Sequence, residues 1–360
     1  MNLKQLLKKT LKDWADISGL DFCLFDSKGK LFLPAESHNA PEEDTIQAFL
    51  EEEACAKATT SIHYYKVTIG NELFYILVVW GKGTQAHTIG ELAVCQIETI
   101  LETTREKLDK NTFMQNLLLG NYAATDARNR AKRLRVNPTL PRAIFIVETK
   151  QARDEHALAT IQNLYSSRTG NFILSTNEEN IVLVKEVRET DTYASLEHTA
   201  LTMVDMLNTE AMTSAWVAYG NIAKDLSELP CAYKEALTSL EVGKIFQPTQ
   251  NTFGYRKLGI GHLIYQLPED ICEKFLDETF KGEKLSTIDD ESLNIIRIFF
   301  ENNLNLSETA RNLYLHRNTL VYRIEKIEKR FGLDIRSFED AITFKLAMMV
   351  SDYLNYQKSR

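Results

Sequence analysis

A chain of 360 residues, 44% hydrophobic and 26% charged, has an ordinary globular composition, and it is long enough for two or three domains. The formal net charge of -8 excludes a protein that coats nucleic acid indiscriminately. It leaves room for a local basic site, because screening confines each charge to about 8 Å. The five cysteines (Cys23, Cys55, Cys95, Cys231, Cys272) form no CxxC and the seven histidines no HExxH, so the expectation is free thiols, no metal and no cofactor.

In chain order, the first twenty residues alternate lysine and leucine at helical spacing without the apolar stretch of a signal peptide, and read as an amphipathic helix. The longest apolar run, Leu73–Trp80, falls far short of the roughly 20 residues that span a bilayer. A soluble, cytoplasmic protein with no membrane partner is expected. Strands are predicted at Phe22–Phe25 and Leu31–Leu33 around the turn Asp26-Ser27-Lys28-Gly29. A helix is predicted at Thr45–Ala58, then strands at Ile62–Ile69 and Leu73–Trp80 around Gly70-Asn71. Helix, hairpin, helix, hairpin over residues 1–86 suits a small α/β sensor domain of the PAS or GAF kind. On its strands Cys23, His63, Tyr65 and Tyr75 are candidates to line an effector pocket, against the plainer reading of sheet packing.

Residues 87–118 read as one long helix. Its stripe of Ile89, Leu92, Ala93, Ile97, Ile100 and Leu101 serves either a dimer contact, making a homodimer, or packing on its own domain. Residues 119–265 alternate strand and helix: Ala143–Glu148, Asp154–Tyr165, a hairpin from Phe172–Leu174 to Ile181–Lys185, Leu196–Leu207, Ala215–Tyr219 and Ala232–Val242. This βαββαβ order is ferredoxin-like, with Gly220 ending the strand where the chain turns. Residues 266–360 read as helices throughout. The fold class is α+β, multidomain, with an all-α C-terminal part.

That last part carries the sharpest pattern. Asp289-Asp290 is an N-cap pair for a helix bearing Leu293, Ile296 and Phe300. Ser307 is placed to cap the next helix, with Leu306, Ala310 and Leu313 inward. After a short break, a second helix begins near Asn318 or Thr319 with a core face of Leu320, Ile324, Ile327 and Phe331. Between Arg311 and Arg330 six cations meet two acids, a net +4 inside a chain of -8. Such a reversal of sign is what phosphate binding needs. Ser307, His316 and Arg330 are placed to hold phosphates. Arg317, Asn318, Thr319, Tyr322 and Arg323 lie in the first turns of a recognition helix, where base edges come within reach. Lys326 joins them with a weaker claim, because Glu325 and Glu328 are near.

The words Leu306-Ser307-Glu308-Thr309-Ala310 and Leu315-His316-Arg317-Asn318-Thr319-Leu320-Val321-Tyr322-Arg323-Ile324 resemble the C-terminal helix-turn-helix of the PucR/CdaR type of bacterial regulators. The resemblance extends through Gly332-Leu333-Asp334 and Phe338-Glu339-Asp340-Ala341. It implies a transcription regulator that binds a double-stranded DNA operator, responds to a small-molecule effector and assembles as a homodimer. Residues 119–265 resemble the cyclase-like, GGDEF-type middle domain of these regulators, with Gly220 and Tyr233-Lys234-Glu235-Ala236 at its close.

A nucleotide cyclase or a plain interaction scaffold is the alternative. A cyclase needs glycines in its hairpin and carboxylates that hold magnesium. The hairpin here is Ser175-Thr176-Asn177-Glu178-Glu179-Asn180, and the strand Ala143–Glu148 has no aspartate. The expectation is a degenerate middle domain and no enzyme.

Overall fold

The computed structural model describes residues 3–70, 72–150, 154–165, 170–175, 180–188, 190–283 and 285–359. They divide into two compact units, Met1–Phe113 and Met114–Arg360.

The first unit contains α1 (Leu3–Ser18), β1 (Asp21–Asp26), β2 (Leu31–Leu33), α2 (Glu43–Glu51), β3 (Ala56–Ala58), β4 (Ile62–Ile69), β5 (Glu72–Trp80) and most of α3 (Gly83–Leu118). The strands form one sheet, ordered β2-β1-β5-β4-β3, with every pairing antiparallel. Side chains alternate across a strand. Phe22, Leu24, Leu77 and Val79 therefore face Leu7 and Leu11 of α1 and Ala93, Ile97 and Leu101 of α3. Cys23, Phe25, Ile76 and Val78 face Ile46 and Phe49 of α2. Burial of both faces explains why the fifth strand is a continuous apolar run rather than an alternating one.

The stripe on α3 divides. Ala93, Ile97 and Leu101 pack on the unit's own sheet, while Leu92 is 52% exposed. The helix expected through Ala58 stops at Glu51, where Glu52 turns extended (φ -71°, ψ 142°). Three successive glutamates, Glu51 to Glu53, crowd the negative end of that helix, and Ala56–Ala58 pairs instead with β4. Asn71 lies outside the described residues, and its turn partner Gly70 has φ 61°.

The second unit begins with α4 (Ala124–Arg133), β6 (Arg142–Thr149), α5 (Glu155–Tyr165), β7 (Phe172–Ser175), β8 (Asn180–Glu186), α6 (Tyr193–Thr209), β9 (Ala215–Tyr219), α7 (Leu229–Phe246) and β10 (Thr252–Gly254). From β6 to β9 the order is βαββαβ, with β9-β6-β8-β7 antiparallel and β10 added parallel to β9. Ile161 of α5 and Met203 and Leu207 of α6 cover one face of that sheet. Gly220 does not serve a left-handed turn. A Cβ there would lie 2.4 Å from the Ala232 carbonyl oxygen, so its lack of a side chain lets α7 approach the strand end. Residues 176–179 of the hairpin lie outside the described residues.

The helices that follow are α8 (Ile260–Tyr265), α9 (Glu269–Phe280), α10 (Asp290–Glu301), α11 (Leu306–Asn312), α12 (Arg317–Phe331) and α13 (Phe338–Ser359). Among the described residues of 266–360 there is no strand. Phe280, Ile296, Phe299, Leu320, Ile324 and Phe344 form the centre of this helical core. Ile264, Cys272 and Tyr353 join α8, α9 and α13. Tyr356 Oη donates to Glu241 of α7 at 2.5 Å, fastening the last helix to the βαββαβ part.

Candidate nucleic-acid interface

Local hydrogen bonds set three helices at defined angles. Asp289 caps α10 by accepting from the Ser292 N–H at 2.8 Å, and the Ser292 backbone and hydroxyl hold its carboxyl below the usual range. Asn303 and Leu304 both take left-handed backbone (φ 51° and 63°), reversing the chain within two residues. Asn305, not Ser307, caps α11: its Oδ1 accepts from Ser307 N–H at 3.1 Å and Glu308 N–H at 3.2 Å. The reason is positional. Asn305 holds the extended cap conformation while Leu306 is already helical, so Ser307 comes two residues too late and is exposed.

Buried Thr309 donates to the Asn305 carbonyl at 2.8 Å. Asn302 bonds Thr309 and Asn312 at 3.4 and 3.1 Å, which ties α10 to α11. Ala310, 4% exposed, lets α12 pack closely through Leu320, Ile324, Ile327 and Phe331. The turn between α11 and α12 passes through Tyr314, at φ 55° and 97% exposed. Leu315 N–H closes the turn on the Ala310 carbonyl at 2.8 Å. His316 caps α12, its Nδ1 accepting from the Asn318 N–H at 3.3 Å. Gly332, at φ 74°, ends the helix.

The polar residues of α12 fall into two groups. Arg317, Asn318, Thr319, Tyr322, Lys326 and Lys329 are exposed, and their side chains make no hydrogen bond or ion pair among the described residues. Arg323 and Arg330 turn back. Arg323 pairs with Glu291 of α10 at 2.6 Å. Arg330 pairs with Glu283 at 3.3 Å and donates to the Thr287 carbonyl at 3.1 Å. They lie beside a cavity of ≈ 500 Å³ between the start of α10 and α12. The two acids of the helix pair with a cation outside it: Glu325 and Glu328 meet Arg336 at 3.8 and 2.6 Å, and Arg336 also holds Asp334 at 2.7 Å. The charged residues of this stretch that make no ion pair among the described residues are therefore all cations: Arg311, Arg317, Lys326 and Lys329, of which Lys326 still lies within the field of Asp289. Arg311 and Lys329 count among the six cations of this stretch of sequence but are given no role there, and Tyr314 is not among its candidates. Tyr314 did leave a signal, as an aromatic between two helices with no place in either apolar face.

In the first unit the four candidate effector residues do not line one pocket. Cys23 faces α2, its thiol pushed up by burial. Tyr65 is on the other face of the sheet. His63 is 5% exposed, with no hydrogen-bond partner for either ring nitrogen. It stacks on Tyr65 and His87 at 6.4 and 5.8 Å. Tyr65 Oη donates to the His87 carbonyl at 3.0 Å, and burial pushes its pKa up to about 12. Tyr75 packs instead on Phe32, at 5.1 Å between ring centroids. Among the described residues no group of three His, Cys, Asp or Glu could hold a metal, and no helix is long and apolar enough to cross a membrane.

Residues 293–350 match the PucR C-terminal helix-turn-helix domain, and residues 119–242 match the GGDEF-like domain. The chain is 23% identical over 380 aligned residues to the purine catabolism regulatory protein of Bacillus subtilis, covering 95% of this chain and 70% of the relative. It is 23% identical over 299 residues to the carbohydrate diacid regulator of Escherichia coli, covering 78% and 77%. With a proline-responsive transcriptional activator of Bacillus subtilis it shares 26% over 272 residues, 70% of this chain and 65% of the relative. A GGDEF-like domain followed by this helix-turn-helix, with similarity to these regulators along most of the chain, is what the chain shares with the PucR/CdaR type of regulators.

Proposed function

We propose that the protein is a sequence-specific DNA-binding regulator of metabolic genes, switched by a small molecule bound in its first unit. The observation that carries this is the outward face of α12. Arg317, Asn318, Thr319 and Tyr322 occupy its first turns, exposed and without internal partners, on a helix fixed from behind by four buried apolar residues. Unpartnered donors on a rigid helix suit the edges of bases in a major groove. Arg311, Lys326 and Lys329 supply phosphate contacts around them, and Tyr314 reaches the backbone from the turn. Ser307 belongs with these contacts through its exposed hydroxyl. His316 acts through the cap that holds the helix start, rather than by giving its ring to a phosphate. Arg323 and Arg330 bind only after releasing Glu291 and Glu283.

We read the chain as a sensor at 1–86, a connecting helix at 87–118, a GGDEF-like scaffold at 119–265 and the helix-turn-helix at 266–360, although most of the helix packs with the first unit. A five-stranded antiparallel sheet with helices on both faces supports the PAS/GAF-like reading of the first. The middle domain is read as non-catalytic. Its first strand offers no aspartate, and Glu148 is held by Lys244 at 2.7 Å. The protein acts in the cytoplasm as a homodimer, so half-sites separated by about 10 bp, or a multiple of it, are expected. Selection from a pool of random duplexes by the purified protein tests the reading. Enrichment of a shared motif is the expected result, and an unenriched pool would overturn it.

A further inference from the structure

In the first unit, a cavity of ≈ 420 Å³ opens between α1 and the β1–β2 edge of the sheet, within the size range of small-molecule pockets. Its floor is apolar: Leu11, Phe22 and Leu33 are each no more than 6% exposed, with Phe32 and Ala15 beside them. One wall is cationic. Lys4, Lys8 and Lys12 stand one turn apart on the same face of α1. None of the three has an acidic partner among the described residues, and the first turn of the helix carries no acid. Like charges at this spacing repel, and a cation near a helix N-terminus opposes the helix dipole. Lys4 leans over the Phe32 ring, 5.1 Å from its centroid.

The far rim, Pro34 to Glu36, is already in place. Asp21, 8% exposed, accepts from the backbone N–H groups of Glu36, Ser37 and His38 at 3.0, 2.8 and 2.8 Å, and its Oδ2 lies 3.0 Å from the His38 ring. Asp21 is thereby held by the loop and forms no ion pair with the lysines, so the three cations of the lining outnumber its two acids. Glu36 is the other acid of the lining, and it is exposed.

We infer that this cavity binds a small organic carboxylate, its anionic group on the lysines and its apolar body against Phe22, Phe32 and Leu11. That such a ligand is the effector rests on the proposed function; that the cavity binds it does not. Glu36 on the rim disfavours a polyanionic strand, and the apolar floor has nothing to offer a bare inorganic ion.

The test uses the full chain and 8-anilinonaphthalene-1-sulfonate, a fluorescent probe with one anionic group on an aromatic body. Lys8→Ala and Lys12→Ala each weaken probe binding about tenfold, the worth of one lost charge-assisted contact. Lys9→Ala, which removes the same charge from the same helix outside the lining, leaves it unchanged. Benzoate displaces the probe, whereas the neutral isostere benzamide and inorganic phosphate at equal ionic strength do not. Equal binding by all three variants would overturn the inference, as would displacement by benzamide (an apolar site only) or by phosphate (a bare cation site only). None of these readings involves DNA, so each stands or falls apart from operator binding.

Discussion

The two units use polar residues in opposite ways. On α12 the residues proposed to act point outward and are unpaired, above an entirely apolar buried face. In the first unit the polar side chains of greatest interest are buried among strands (Asp21, His63) or gathered on one side of a cavity (Lys4, Lys8, Lys12). A helix that must fit an external duplex keeps its donors free. A pocket that must fit a small molecule fixes its walls first, and Asp21 does that fixing. The comparison teaches that a surface reader is visible as periodicity within one helix, whereas a pocket is assembled from segments whose relation only the sheet reveals.

The sharpest way to break the comparison is to remove the support beneath each surface. Leu320→Ala, at a fully buried position on α12, should cost about 2–5 kcal/mol of stability and abolish duplex binding while leaving probe binding in the first unit intact. Denaturant unfolding read alongside both titrations checks this. Loss of both activities would show that the two units do not stand independently.

Asp21→Asn should cost about 1–3 kcal/mol at neutral pH, because several donors lose a charged acceptor. Burial raises the Asp21 pKa, but the Ser37, His38 and Glu36 hydrogen bonds outweigh it, and the net shift is downward from 3.8. The sign follows from linkage. A carboxyl with a depressed folded pKa contributes stability that is fully present above its unfolded value and lost as pH falls through the folded one. Unfolding midpoints between pH 6 and about pH 2 should therefore fall less steeply for Asp21→Asn than for the parent. Identical pH profiles would remove Asp21 from its proposed place as the loop's anchor.

Smaller effects separate reading from holding on α12. Asn318→Ala should lose about 1–3 kcal/mol on the selected site and relax the base preference there. Lys329→Ala should weaken all duplexes alike and lower the salt slope by about 1. Smallest of all, Glu291→Gln should release Arg323 and tighten duplex binding by about 1 kcal/mol or less, since an exposed ion pair is worth no more. Unchanged affinity would place Arg323 outside the interface.

Much of this was legible beforehand. The spacing of Leu320, Ile324, Ile327 and Phe331 marks α12 and its buried face, and the βαββαβ order of the middle part is visible in its strands. What the chain hid was non-local. The acids that draw Arg323 and Arg330 inward, Glu291 and Glu283, sit on segments far upstream, so the charge count of the stretch does not say which of its cations are free. β3 and β10 are three residues each, too short to show a period, and exist because a neighbouring strand offers hydrogen bonds. Lys4, Lys8 and Lys12 were in plain view, but lysines four apart look the same on a solvated face and on a cavity wall. Only the Pro34–Glu36 loop across from them distinguishes the two. Cys23 and Tyr65 both lie on strands, but the antiparallel register puts them on opposite faces of the sheet.

The most direct measurement is an anisotropy titration of the selected duplex and a scrambled duplex of equal length, at several salt concentrations, with the parent chain and with Asn318→Ala. A parent that prefers the selected duplex at every salt concentration, and a variant that loses most of that preference while keeping its salt slope, would place base reading on the outward face of α12. Equal affinity of the parent for both duplexes, or a variant indistinguishable from it, would contradict that placement.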